Sequence, residues 1–212
     1  MNIRICPINL VFISGIHGCG KDTLIKDFLD KSKNSELPYK IIRYEKCEMT
    51  SFDDIIERQV RRIAKYVIDY HRAEKIAKEN PDSIVITDRC IWDAWCYIKA
   101  FKNLNWLSKE DADWIDNLLS VSFDQIYIES IDPILLLPPI EFVKNNLYTR
   151  QQSKGAKWNE TDMDYLNAVY NMYKIFYNSY KPKETILITD REQRVECLDN
   201  MISERWKLHI KR

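Results

Sequence analysis

The chain holds four glycines in 212 residues, and three of them, Gly15, Gly18 and Gly20, fall within one six-residue stretch. Glycine loses more backbone entropy on folding than any other residue. A chain that otherwise avoids it needs what glycine allows, which is positive φ and close approach of the main chain. The surrounding stretch, LVFISGIHGCGKDTLIKDF (10–28), shows the need. An apolar run, INLVFIS (8–14), reads as a buried strand, and DTLIKDFLDK carries Leu24, Ile25, Phe28 and Leu29 on one helical face. Between them, Gly15 to Lys21 matches G-x-x-x-x-G-K in a strand–loop–helix context. In such a loop, backbone N–H groups wrap an anion. The helix start adds its unpaired N–H groups and the positive end of its dipole, and the lysine reaches the β and γ phosphates. Gly15, His17, Gly18, Cys19, Gly20, Lys21, Asp22 and Thr23 are therefore the expected contacts of a bound nucleotide.

The rest of the chain alternates short apolar runs with amphipathic ones. Strands are expected at YKIIRYE (39–45), SIVIT (83–87), ILLL (134–137) and TILIT (185–189). Helices are expected at 51–80, 91–104, 108–129, 162–180 and 191–206. The first of these opens with Ser51 and Asp54 at capping-box spacing, carries Ile56, Val60, Ile63, Val67 and Tyr70 as one stripe, and is ended by Pro81. A polar loop, RQQSKGAKWNETD (150–162), precedes the Tyr-rich helix. Apolar strands alternating with helices imply an α/β domain with a parallel sheet covered on both faces, spanning 1–212. In such sheets ligands bind beyond the carboxyl ends of the strands.

Composition narrows the partners. Thirty-two Lys and Arg balance thirty-two Asp and Glu, so the formal net charge is zero, which argues against a nucleic-acid arm or a polybasic membrane patch. The apolar runs are far too short to span a bilayer. The first residues run into a glycine-rich loop and read as a strand, not a signal peptide. Six cysteines stand singly, without a CxxC pair, as in a reducing cytoplasm, and the three histidines lack zinc-ligand spacing.

Asp22 stands where a phosphate-binding loop usually carries Ser or Thr. Its carboxylate suits Mg²⁺ as a hard ligand, or it complements the helix N-terminus; the sequence leaves both open. Thr23 then supplies a hydroxyl, and the arrangement GK-x-T resembles the P-loop nucleoside-monophosphate kinases, with GKDT like some deoxynucleotide kinases. A second stretch, IVITDRCIWDAWCY (84–97), is similar to the thymidylate kinase pattern DRY-x-x-S-x-x-A-Y-Q. Cys90, Asp93, Cys96 and Ile98 depart from its Tyr, Ser, Ala and Gln.

This resemblance implies a three-layer P-loop fold with sheet order 2-3-1-4-5 and a small basic lid, placed at 149–161. It sets the third strand beside the first, so Asp88 faces the phosphate loop as a Mg²⁺ or acceptor ligand and Arg89 neutralises the transferring phosphoryl group. Arg72 would bind the acceptor phosphate and Tyr97 would line the acceptor site. Glu45 would be the base that deoxynucleoside kinases place after this strand. Arg150 would act from the lid with Lys154 and Lys157, and the loop around Asp190 would lie along the adenine. The implied activity is transfer of the γ-phosphoryl group of ATP, with Mg²⁺, to a nucleotide or nucleoside, by a cytoplasmic enzyme with a homodimer as one possible assembly.

Other readings fit less well. A GTP-driven switch needs a glycine after Asp88 in D-x-x-G, which is absent, and no NKxD-like guanine reader follows the fourth strand. An ATPase motor needs Asp-Glu where Asp88-Arg89 stands. A P-loop kinase for another small molecule or for a polynucleotide end, or a P-loop ATPase without an acceptor, remains as an alternative.

Overall fold

The computed structural model describes residues 6–46, 54–126, 128–155 and 159–211. Its elements in order are β1 (Leu10–Gly15), α1 (Lys21–Ser32), β2 (Lys40–Arg43), α2 (Ile55–Glu79), β3 (Ser83–Asp88), α3 (Ile91–Asn103) and α4 (Lys109–Gln125). After a short 3₁₀ turn come β4 (Ile134–Leu136), α5 (Ile140–Lys154), α6 (Met163–Tyr180), β5 (Thr185–Ile186) and α7 (Arg191–His209). Every strand pair is parallel, and the order is β2-β3-β1-β4-β5, the expected three-layer arrangement. Parallel neighbours need crossovers, and right-handed crossovers fix their side. The chain moves one way from β1 to β2 and the other way for each later strand. Hence α1 and α7 pack together on one face, while α2, α3, α4 and α6 pack together on the other.

The register carries the functional information. β1 lies between β3 and β4, with Ile13 beside Asp88 and Gly15 beside Leu136. All residues of β1, β3 and β4 are buried, as their unbroken apolar runs require, whereas edge strand β2 is not. The carboxyl ends of β1 and β3 therefore open side by side.

Three elements differ from the sequence reading. Asp54 itself caps α2, its side chain accepting from the Glu57 amide; Ser51 lies outside the described residues. The buried face of α2 is also not the expected apolar stripe. Ile63 and Tyr70 are buried, but so are Arg58, Gln59, Arg62, Asp69 and Glu74, while Ile56, Val60 and Val67 are only half-buried. Polar groups share the buried face of α2 with apolar ones, which hides the period from an apolar count.

The third difference is α5. Sequence reading expects a loop from residue 150, yet a helix runs from Ile140 through Arg150 to Lys154, and Gly155 ends it with φ of 77°. Among its described side chains only Val143 and Leu147, one turn apart, are buried, too few to show a stripe. At the far edge, β5 covers two residues rather than five. Among the described residues no helix is long and apolar enough to cross a membrane.

Candidate active site

The loop after β1 is shaped by contacts that exclude side chains. A Cβ on Gly15 would stand 2.4 Å from the Leu136 carbonyl oxygen, and one on Gly18 would stand 2.7 Å from Leu147 Cγ. Both have positive φ, 145° and 80°. Asn146 of α5 donates to the Gly18 carbonyl at 2.9 Å, tying that helix to the loop. Lys21 is buried at the start of α1 and curls back, its Nζ donating to Gly15 O at 2.7 Å and Ile16 O at 3.0 Å. Carbonyl dipoles hold the ammonium where phosphate oxygens are expected to compete for it. Asp22 and Thr23 follow it, both exposed.

Asp88 ends β3 across from this loop. It is only 9 % exposed and forms an ion pair with Lys46, while its Oδ1 is buried without a partner. Burial pushes its carboxyl up, but the nearby charges of Lys21, Arg89 and Lys46, with the Lys46 hydrogen bond, outweigh this and bring the pKa down to about 2.

Arg89 has φ of 72°, a conformation that non-glycine residues seldom adopt and that here turns the side chain inward. Its Nη1 donates to Gly15 O and to Asp93 Oδ1, each at 3.1 Å. Asp93 is fully buried. It also accepts from Ser14 Oγ at 2.9 Å, the Gly15 amide at 3.3 Å, the Cys90 amide at 2.8 Å and the Tyr173 hydroxyl. One carboxylate thus joins the end of β1, the start of α3, α6 and Arg89.

His17 is stacked near Tyr165 and Tyr97, with ring centroids 5.5 and 5.9 Å away. Its amide donates to Tyr97 Oη at 3.2 Å, and its Nδ1 lies 2.8 Å from the same oxygen. Burial and then the charges of Arg89, Lys21, Arg150 and Arg62 hold its pKa well below the usual imidazole value, so the ring is neutral. The Arg62 guanidinium lies over the Tyr97 ring, 4.3 Å from its centroid. On α5, Arg150 pairs with Glu160, which joins the end of that helix to the approach to α6.

These groups surround a cavity of about 810 Å³. It is lined by His17, Gly18, Gly20, Lys21, Asp22 and Thr23 from the loop, by Asp88 and Arg89, by Arg150, and by Thr189 and Arg191 beside Asp190. Gly15 and Cys19 lie beneath it as the loop's scaffold. Asp190 is the N-cap of α7, its side chain accepting from the Gln193 amide. Tyr97 supports His17 from behind.

Three residues expected at the acceptor, Arg72, Glu45 and Tyr97, are not among those lining this cavity. Arg72 is exposed on α2, whose buried face carries Arg58 and Arg62 instead. Glu45 is also exposed, with its carboxylate 3.9 Å from Arg43, and the next residue, Lys46, faces the site. Lys157 lies outside the described residues. Sequence reasoning missed Lys46, Asp93, Phe142, Asn146, Glu160 and Arg194. For Asp93 a signal existed, a charged residue at i+4 from Arg89 within an apolar helix start. The others become neighbours only through tertiary packing.

Residues 11–211 match the family described as deoxynucleoside kinase. Solved structures of deoxyadenosine kinase from M. mycoides share the fold. The form with bound dATP superposes with a TM-score of 0.59 at 15% identity, and the form with bound dCTP with 0.57 at 16%. Each comparison covers 92% of this chain and 99% of the other. A comparison with curated proteins finds no match. The match spans nearly the whole chain and includes the loop after β1, the Asp88–Arg89 strand end and α5, and it places the chain in the deoxynucleoside kinase family.

Proposed function

We propose that the enzyme, a phosphotransferase by its family, moves the γ-phosphoryl group of ATP to a deoxynucleoside, with the donor held on residues 15–23. The observation that carries this is the cavity wall. A phosphate loop with a preset lysine faces a carboxylate that keeps one buried oxygen free, and arginines close the other sides. The similar M. mycoides structures, with dATP or dCTP bound, support deoxynucleoside chemistry for the acceptor.

Mg²⁺ fits this wall. It binds through one or two carboxylates together with phosphate oxygens and water, not through a dedicated protein cage. Asp88, with its free Oδ1, and Asp22 at the cavity edge are the residues to hold it. When bound, the ion neutralises charge on the β and γ phosphates. A carboxyl with a pKa of about 2 remains ionised throughout the working range and serves as ligand and hydrogen-bond acceptor. Lys21 exchanges carbonyl partners for phosphate oxygens, and Arg89, anchored by Asp93, presents a fixed positive charge to the moving group. Arg150 acts from the lid once Glu160 releases it, and the lid excludes water from the reaction.

An acceptor screen tests this reading. The protein is incubated with MgATP and, separately, deoxynucleosides, ribonucleosides and nucleoside monophosphates, and ADP is measured. ADP that appears only with a deoxynucleoside supports the proposal. Equal ADP without any acceptor would instead identify an ATPase, and ADP only with monophosphates would move the acceptor one phosphate along.

A further inference from the structure

We infer that Arg194, on the second turn of α7, is a ligand for the polyphosphate of the nucleotide donor. This rests on the donor-site reading above and extends it to a residue that no motif marks. Arg194 is only 5 % exposed, yet it lines the cavity. Its Nη2 donates to the Cys19 carbonyl at 2.5 Å. Its Nη1 lies 3.0 Å from where a Cβ on Gly20 would stand, so the guanidinium lies directly against the phosphate loop. Below it is the ring of Phe142, 5.1 Å from its Cζ, another wall of the same cavity.

The charge has no counterpart. Among the described residues no carboxylate lies within ion-pair reach of Arg194, and its Nε is buried without a hydrogen-bond partner. Of the cavity carboxylates, Asp88 is held by Lys46, Glu160 by Arg150, and the exposed Asp22 forms no ion pair with Arg194. Arg191, three residues earlier, shows the opposite case. It pairs with Asp27 through two bonds of 2.6 and 2.7 Å and tethers α7 to α1. Burying a charge without a partner opposes folding, and a neutral amide could donate to the Cys19 carbonyl equally well. Burial lowers the pKa of Arg194, consistent with a missing counter-charge. The anion that arrives beside Cys19 and Gly20 is the donor's phosphate chain, whose planar oxygen pairs match the guanidinium fork.

The test compares Arg194→Gln, Arg194→Lys and Arg194→Met with the parent enzyme. Affinities for MgATP, MgADP, AMP and adenosine are measured by calorimetry, and thermal midpoints without nucleotide. The inference expects MgATP affinity to fall at least tenfold in the Gln and Met variants and less in Lys. The loss should shrink from ATP to ADP to AMP and vanish for adenosine, while the nucleotide-free Met variant melts no lower than the parent. An equal loss for adenosine and ATP makes Arg194 a base or loop brace and overturns the inference. So does unchanged ATP affinity in the Gln variant. If the parent protein itself binds no nucleotide, the donor-site reading falls, and this inference with it.

Discussion

Asp88 and Asp93 stand on either side of the same strand end, and their surroundings are opposite. Asp93 is fully buried and accepts from Ser14, Gly15, Cys90, Arg89 and Tyr173. Asp88 is nearly as buried and lines the cavity, but its Oδ1 has no partner and its ion pair is with the exposed Lys46. A carboxylate with its lone pairs occupied fixes backbone and neighbours; one with an open oxygen is held ready for a ligand. The wall behind the phosphate loop is therefore structure, and the wall in front of it is chemistry, although both use the same residue type.

Replacing Asp93 tests the rear wall and carries the largest expected effect. Asp93→Ala leaves the Arg89 charge and several buried donors without an acceptor. Breaking a buried charge pair from one side costs about 3–5 kcal/mol. Urea unfolding is expected to show that loss, with Asp93→Asn falling between it and the parent. A stability loss below about 1 kcal/mol would erase the distinction between the two walls.

The front wall should respond in rate rather than stability. Lys21→Ala is expected to lower kcat by about a hundred- to a thousand-fold, the scale for removing one preorganised positive donor. Its far-ultraviolet circular dichroism should match the parent. Unchanged turnover in that variant removes the phosphate loop from the mechanism altogether.

The third effect is in Mg²⁺ dependence. Asp88→Asn keeps shape and loses charge, so the Mg²⁺ concentration for half-maximal activity is expected to rise about tenfold or more, the scale of one altered ligand. A titration of activity against Mg²⁺ reads this directly, and an unmoved midpoint excludes Asp88 as the metal ligand.

The pH dependence of stability separates Asp88 further. Its folded pKa, about 2, lies below the unfolded value of about 3.9, so its charge stabilises the fold above the unfolded pKa. That contribution is lost as pH falls through the folded value. The stability difference between parent and Asp88→Asn should hold steady above about pH 4 and shrink towards pH 2. Chemical unfolding at stepped pH checks the sign; a difference that grows on acidification contradicts it.

The smallest effect belongs to Lys46. Its side chain is 41% exposed, so solvent screens its pair with Asp88, and Lys46→Ala is expected to cost about 0–1 kcal/mol in urea unfolding. A larger loss would mean that Asp88 depends on this lysine to fold rather than holding it loosely until the ligand comes.

Much of the fold was legible because its signals are local. The buried strands announce themselves as unbroken apolar runs, and Pro81 closes α2 near where it was expected to. What escaped was a helix without an apolar stripe, α5, and a helix whose inner face is polar, α2. α5 lines the cavity with Phe142, Asn146, Thr149, Arg150 and Ser153, polar side chains for the most part, whereas α2 supplies none of the lining residues and buries its polar groups against the rest of the fold. Arg72, which the resemblance pointed to, is exposed on α2, whose buried face carries Arg58 and Arg62.

The sequence by itself determined the phosphate loop, because glycine spacing and a lysine at a strand–helix junction act on the backbone within a few residues. It also determined the alternation of strands and helices, hence a parallel sheet. Tertiary structure alone decided which charges meet. Arg194 lies against Cys19, Lys46 beside Asp88 and Arg150 beside Glu160 only after α7, the loop after β2 and α5 converge on one cavity. Coulomb interactions and desolvation depend on distance and burial in three dimensions, and neither is written in the order of residues along the chain.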